Sequence, residues 1–238
     1  MSTPAVEIEG LRLVYPDGTT ALDGVDFKVE KGSSVCIAGP NGAGKSTLLL
    51  CIGGLLKYDG VIRVAGARSD AGHSRGRDPS VFGLVFQDPD DQLFCTTVRD
   101  DAAFGPRNLR LPAAEVEERV CEALRAVDLA GFEERPPHHL SVGEKKKAAI
   151  ASVLACRPSI IALDEPWAGL DARACRAVTG ILERFTGTRL VVTQDPRQAA
   201  GICERMVIID GGRIAADGPF HELSADRNLL ERHGLDFG

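Results

Sequence analysis

The chain has 238 residues, 44% hydrophobic and 26% charged, with a net charge of −6 at neutral pH. That length suits one large domain, or one domain with a subdomain inserted, and can bury a substantial core. The acidic balance excludes nucleic acid as a main partner, since phosphate backbones call for clustered lysine and arginine; the only basic run, Lys145–Lys147, reads as a solvated helix face.

In chain order, apolar alternation over Val6–Tyr15 and Ala21–Glu30 predicts two strands joined by a turn at Pro16-Asp17-Gly18. Ser34–Ala38 reads as a compact buried strand, and Lys45–Leu56 as a helix ending at its glycines or Lys57. Val61–Ala65 and Phe82–Phe86 are short strands on either side of an exposed loop, Ser69–Ser80. From Asp90 to Pro158 the pattern is helical, most clearly in Ala113–Val127 and Ser141–Cys156. Strands Ile160–Leu163, Leu190–Thr193 and Met206–Ile209 then alternate with helical segments. The fold class is therefore α/β in a single domain, with 1–89 and 159–238 as the core and 90–158 as a helical insert.

Seven cysteines, an odd number without a C-x-x-C pair, predict reduced thiols in a cytosolic protein; Cys36, Cys51 and Cys156 lie in apolar runs. The N-terminus has no signal-peptide pattern. The longest apolar run, Leu48–Leu56, is too short to span a bilayer, so any membrane role works through a partner.

The strongest chemical signal follows the third strand. GPNGAGKST comprises Gly39, Pro40, Asn41, Gly42, Ala43, Gly44, Lys45, Ser46 and Thr47, and fits G-x-x-x-x-G-K-[ST] with a strand before it and a helix after. The glycines let backbone N–H groups curl around an anion, and the helix N-terminus adds its dipole. Lys45 reaches the outer phosphates and the Ser46 hydroxyl ligates Mg²⁺. In SIIALDEP, an apolar strand ends in Asp164 and Glu165. Alone this is a surface acidic pair at a strand end. Beside a phosphate loop, Asp164 can hold the metal through water and Glu165 can polarise an attacking water, which favours triphosphate hydrolysis.

Together with Gln87 after VFGLVF, LSVGE at Leu140–Glu144 and AGLD at Ala168–Asp171, these motifs make the chain resemble the ATP-binding cassette ATPase family over nearly its whole length. The resemblance implies a P-loop NTPase core with an N-terminal antiparallel β subdomain and an inserted helical subdomain. It also implies ATP and Mg²⁺ as cofactors, with Gln87 joining Ser46 and Asp164 near the metal. Tyr15 matches the aromatic that stacks on adenine; its other reading is a tyrosine packed locally in the hairpin.

In this family two cassettes meet head to tail, and each ATP also touches the other chain's signature segment, here Ser141, Val142, Gly143 and Glu144, with Asp171 in the dimer-interface loop. Ser141 can N-cap its helix, and S-x-x-E to Glu144 is a capping box. The family usually has two glycines where this chain has Val142-Gly143; a β-branched residue there costs about 1–2 kcal/mol if φ > 0 is required. Most members carry a histidine at Gln194, whose amide still donates a hydrogen bond to the γ-phosphate but is neutral.

QDPDDQLF (Gln87–Phe94), TVRDDAAFGPRNL and PHHLS resemble the ATPases of energy-coupling-factor importers, particularly the cobalt and nickel type. These work at the cytoplasmic face of the membrane, as homo- or heterodimers, with a membrane scaffold and a substrate-binding membrane component. Asp88–Phe94 is then a docking segment anchored by Leu93 and Phe94, or else a turn plus two core residues. Other readings are an importer of a vitamin such as biotin, a regulatory cassette of low turnover, and a soluble cassette in translation or DNA repair. Trp167 stands where a threonine is common.

Overall fold

The computed structural model describes residues 3–69 and 76–235. Positions 70–75 of the expected exposed loop lie outside these residues. The elements are β1 (Val6–Val14), β2 (Thr20–Val29), β3 (Ser34–Ala38), α1 (Lys45–Ile52), β4 (Asp59–Val64), β5 (Ala67–Ser69), β6 (Phe82–Val85), α2 (Val98–Asn108), α3 (Ala113–Ala126), α4 (Val142–Leu154), β7 (Ile160–Asp164), α5 (Ala172–Arg184), β8 (Thr188–Thr193), β9 (Arg205–Asp210), β10 (Arg213–Pro219), α6 (Phe220–Ala225) and α7 (Arg227–Arg232). The chain divides into two compact units, one running to Arg77 and resuming at Gly187, the other Asp78–Thr186.

In the first unit, β1 pairs antiparallel with β2 and with β4, in a sheet ordered β2-β1-β4-β5. The hairpin closes as expected: the N–H of Tyr15 donates to the Thr19 carbonyl (2.8 Å), and that of Gly18 to the Tyr15 carbonyl (2.9 Å). The same unit contains β3 between β8 and β9, parallel to both, with β10 returning antiparallel on β9. Every residue of β3 is buried, which matches an apolar run covered on both faces. Helix α1 stops short of Leu56. The pair Gly53-Gly54 ends it, and the Leu55 N–H folds back to the Leu50 carbonyl (2.9 Å).

In the second unit, β6 and β7 pair in parallel, with Val85 opposite Leu163. Helices α2, α3 and α4 pack on one another, and α4 also lies on β6. Trp167 has a place here. Its side chain is buried, and the indole N–H donates to the Thr179 hydroxyl of α5 (3.1 Å). A threonine could not fill that space. Trp167→Ala is expected to cost about 3–5 kcal/mol in chemical denaturation followed by circular dichroism, the range for emptying a large buried side chain. A loss below about 1 kcal/mol would mean that the site closes around the cavity.

Candidate active site

The phosphate loop is built by the first unit. Ala38, the last residue of β3, pairs with Thr193 on one side and Ile208 on the other, so Gly39 and Gln194 leave their strands at the same edge. Gly39 (φ 158°) and Gly44 (φ 101°) are forced: a Cβ would lie 2.1 Å from the Ile209 carbonyl oxygen at the first and 2.4 Å from the Ala21 carbonyl oxygen at the second. Gly44 then starts α1 without a side-chain cap, so the first-turn N–H groups face the loop's interior chemistry rather than a capping oxygen. Lys45 is buried, and its ammonium donates to the carbonyls of Gly39 (2.8 Å) and Pro40 (2.9 Å). Tyr15, half-buried, shares a hydrogen bond with the Thr47 hydroxyl (3.0 Å), which ties the aromatic to the loop's end. Gln194 is exposed, one residue beyond β8, where the Asp195 N–H bonds back to the Thr193 hydroxyl (3.0 Å).

The carboxylates belong to the second unit. Asp164 ends β7 at 8% exposure, and Glu165 follows at 9%. Glu165 adopts φ 44°, a left-handed conformation that costs a glutamate about 1–3 kcal/mol and persists where surrounding structure demands it. The β6–β7 register carries Gln87 to the same strand-end edge. Gln92 holds the following segment on α4: its carbonyl oxygen accepts the Phe86 N–H (3.1 Å), while its amide donates to the Ala149 carbonyl (2.9 Å) and the Ser152 hydroxyl (3.0 Å).

Three expectations are corrected or divided. The basic run is not a solvated face throughout. Lys145 pairs with the Asp90 carboxylate (2.7 Å), and Lys147 donates to the Asp128 carbonyl (3.2 Å), but Lys146 is 1% exposed and donates to the Gln87 carbonyl (2.5 Å). Burial pushes its pKa down, and the carboxylates of Asp164, Asp88 and Glu165 pull it back up. Helical period carries the signal that composition hides, because Lys146 shares the buried stripe of α4 with Ala149, Ile150 and Val153. The strain expected at Val142 is absent: it lies in the first turn of α4 and is not among the non-glycine residues at positive φ. Gly143 is the tight position, where a Cβ would meet the Ala174 Cβ at 3.0 Å. Finally, Leu93 is core while Phe94 is 65% exposed.

The signature segment forms the capping box foreseen in the sequence. The Glu144 N–H bonds to the Ser141 hydroxyl (3.3 Å), and the Glu144 carboxylate accepts the Ser141 N–H (2.8 Å). The same backbone bond holds the Glu144 pKa below the ordinary glutamate range. Asp171 caps α5 by accepting the Ala174 N–H (2.7 Å). All seven cysteines are free thiols, and burial pushes Cys51 and Cys203 up to about 12 and Cys156 to about 11.

Residues 22–168 match the family model described as "ABC transporter". The chain belongs to the ABC transporter ATPase family. ABC ATPases bind ATP with Mg²⁺ and hydrolyse it, and the fold agrees with that of solved members. One curated relative is the energy-coupling factor transporter ATP-binding protein EcfA of Carboxydothermus hydrogenoformans, 48% identical over 235 residues, which are 97% of this chain and 86% of that protein. Among solved structures, the ABC ATPase resembles cbiO1 from Clostridium perfringens, described as part of the ABC transporter complex cbiONQ. The TM-score is 0.80 and the identity 33%, over 98% of this chain and 96% of that one. A dimeric ATP-binding cassette bound to ADP and phosphate aligns at TM-score 0.79 and 26% identity, over 90% of this chain and 98% of that one.

Proposed function

We propose that this ABC ATPase energises an energy-coupling-factor importer for cobalt or nickel ions, as one of two cassettes at the cytoplasmic face of a membrane scaffold and a substrate-binding membrane component. Among the described residues no helix is long and apolar enough to cross a membrane, so such a role works through contact. The observation that carries it is Phe94. The Asp101 carboxylate accepts the N–H groups of Phe94 and Cys95 (3.0 Å each), and the exposed Phe94 ring meets Phe104 edge-on (4.9 Å between centroids). The pair borders a cavity of about 270 Å³, lined also by Phe82, Phe86 and Val153 and adjoining the segment that follows Gln87. An exposed aromatic pair beside an apolar cavity suits an anchoring helix of the scaffold. The EcfA and cbiO1 likenesses support the importer class, and the resemblance of the Gln87–Phe94 motif carries the choice of cargo.

In this reading Tyr15 stacks on adenine, the Gly39–Thr47 backbone and Lys45 hold the phosphates, and Glu165 polarises the attacking water. The oxygens of Ser46, Gln87 and Asp164 are hard donors, as Mg²⁺ requires, and few protein ligands suffice when phosphates and water complete the shell. When bound, the ion neutralises charge developing between the β- and γ-phosphates. Ser141, Val142, Gly143 and Glu144 present the start of α4 to the ATP of the partner chain, and Asp171 lies at the dimer contact.

Gln194 favours a second reading, a regulatory cassette of low turnover, because it donates to the γ-phosphate without a charge. Gln194→His is expected to raise kcat roughly tenfold or more, since one well-placed donor to developing charge is worth about 10²–10³ in rate. An unchanged or lower kcat would show that the site is built around the amide. Reconstitution with the membrane components and ATP should give uptake of radioactive cobalt or nickel. Biotin uptake in its place would overturn the cargo, and no coupling of ATPase rate to the membrane components would favour the regulatory reading.

A further inference from the structure

A lysine in the buried stripe of a helix requires a reason. Taking an ammonium out of water is costly, and a methionine of similar length could fill the same volume without that cost. Lys146 is 1% exposed, and its ammonium is fixed on the backbone carbonyl of Gln87 (2.5 Å). It sits one turn and a half beyond Ser141, on the helix whose N-cap forms the signature segment. The segment after Gln87 is sewn to α4 at two further points, Asp90 to Lys145 and Gln92 to Ala149 and Ser152. Those two contacts hold the segment. Only the Lys146 contact grips Gln87 itself, at the peptide group that sets where its side chain points.

We propose that Lys146 is a positioning residue that clamps the Gln87 peptide to α4, so that the Gln87 amide oxygen stays aimed at the divalent cation and moves with the signature helix. The inference rests on the reading of Gln87 as metal-facing. The clamp is mechanical: a carbonyl held by a buried ammonium cannot rotate its peptide plane without breaking that charge-assisted hydrogen bond. A displacement of α4 by nucleotide at Ser141 is thereby passed to Gln87 of the same chain.

The test uses the full chain with the non-hydrolysable analogue adenylyl imidodiphosphate, and reads nucleotide-dependent thermal shift against Mg²⁺ concentration. Lys146→Met is expected to raise the Mg²⁺ needed for half the shift by roughly 10–100-fold, the usual loss when the support of a metal ligand is removed. Binding of the analogue in the presence of a chelator should not change. Lys146→Gln, whose neutral amide nitrogen stops one bond short of the lysine ammonium, should give the same Mg²⁺ shift. Parental Mg²⁺ dependence in both variants, with lower melting temperatures, makes Lys146 merely structural and overturns the clamp; failure of both to fold does the same. Gln87→Ala separates the two layers. If it shifts the Mg²⁺ dependence while Lys146→Met does not, the clamp alone fails. If Gln87→Ala shifts nothing, the metal-facing reading of Gln87 fails and the clamp with it.

Discussion

Replacing Glu165 with glutamine is expected to lower kcat by about 10²–10⁴-fold while ATP still binds, because the amide cannot accept the proton that a general base removes from water. The exchange is nearly isosteric and leaves the backbone at φ 44° no more strained than before, so folding should be unaffected. With hydrolysis stopped and binding intact, the variant should accumulate as an ATP-bound dimer, visible as a doubled mass in size-exclusion chromatography with light scattering. Steady-state turnover at the parental rate would remove Glu165 from the reaction and leave its left-handed backbone without a catalytic reason.

Lys45→Ala should weaken Mg-ATP binding by about 10²–10⁴-fold, the loss of two charge-assisted hydrogen bonds to the phosphates at about 1.5–3 kcal/mol each. The Lys45 ammonium spans the carbonyls of Gly39 and Pro40, so the group proposed to meet the anion also holds the loop in shape. Removing it therefore loses both the charge and the shape. Calorimetric titration of the parental and variant chains measures the effect, and a melting curve shows that the variant is folded. An unchanged dissociation constant would dismiss the phosphate loop as the nucleotide's anchor.

The phosphate loop was legible in the sequence because its demands are local. Gly39 and Gly44 press on the carbonyls of Ile209 and Ala21, so only glycine fits, and the motif spells that out in nine residues. The β1–β2 hairpin, β3 and β7 were legible for a similar reason, since alternation or a fully apolar run survives in any tertiary setting. Strand β10 was missed: Arg213–Pro219 alternates only between exposed and half-exposed positions, so no buried face marks it. Lys146 was misread because a run of three lysines looks uniform by composition, whereas a helix turns each residue by about 100° and sends one of the three inward. Val142 was judged against a family pattern, but the backbone it joins is an ordinary helical first turn. The pairing of Tyr15 with Thr47, 32 residues apart, depends on strand and helix meeting in space, which no local pattern encodes.

Trp167 is the only tryptophan of the chain and stands two residues beyond Glu165. Its indole is shielded from water and bonded to α5, so excitation at wavelengths too long for Tyr15 and Tyr58 isolates the emission of one ring, two residues from Glu165. A rearrangement of the Glu165–Asp171 turn on nucleotide binding that repacks or exposes the ring is expected to shift its emission. The protein thus carries its own optical reporter, and stopped-flow mixing with ATP can time the closure of two cassettes without attaching a dye.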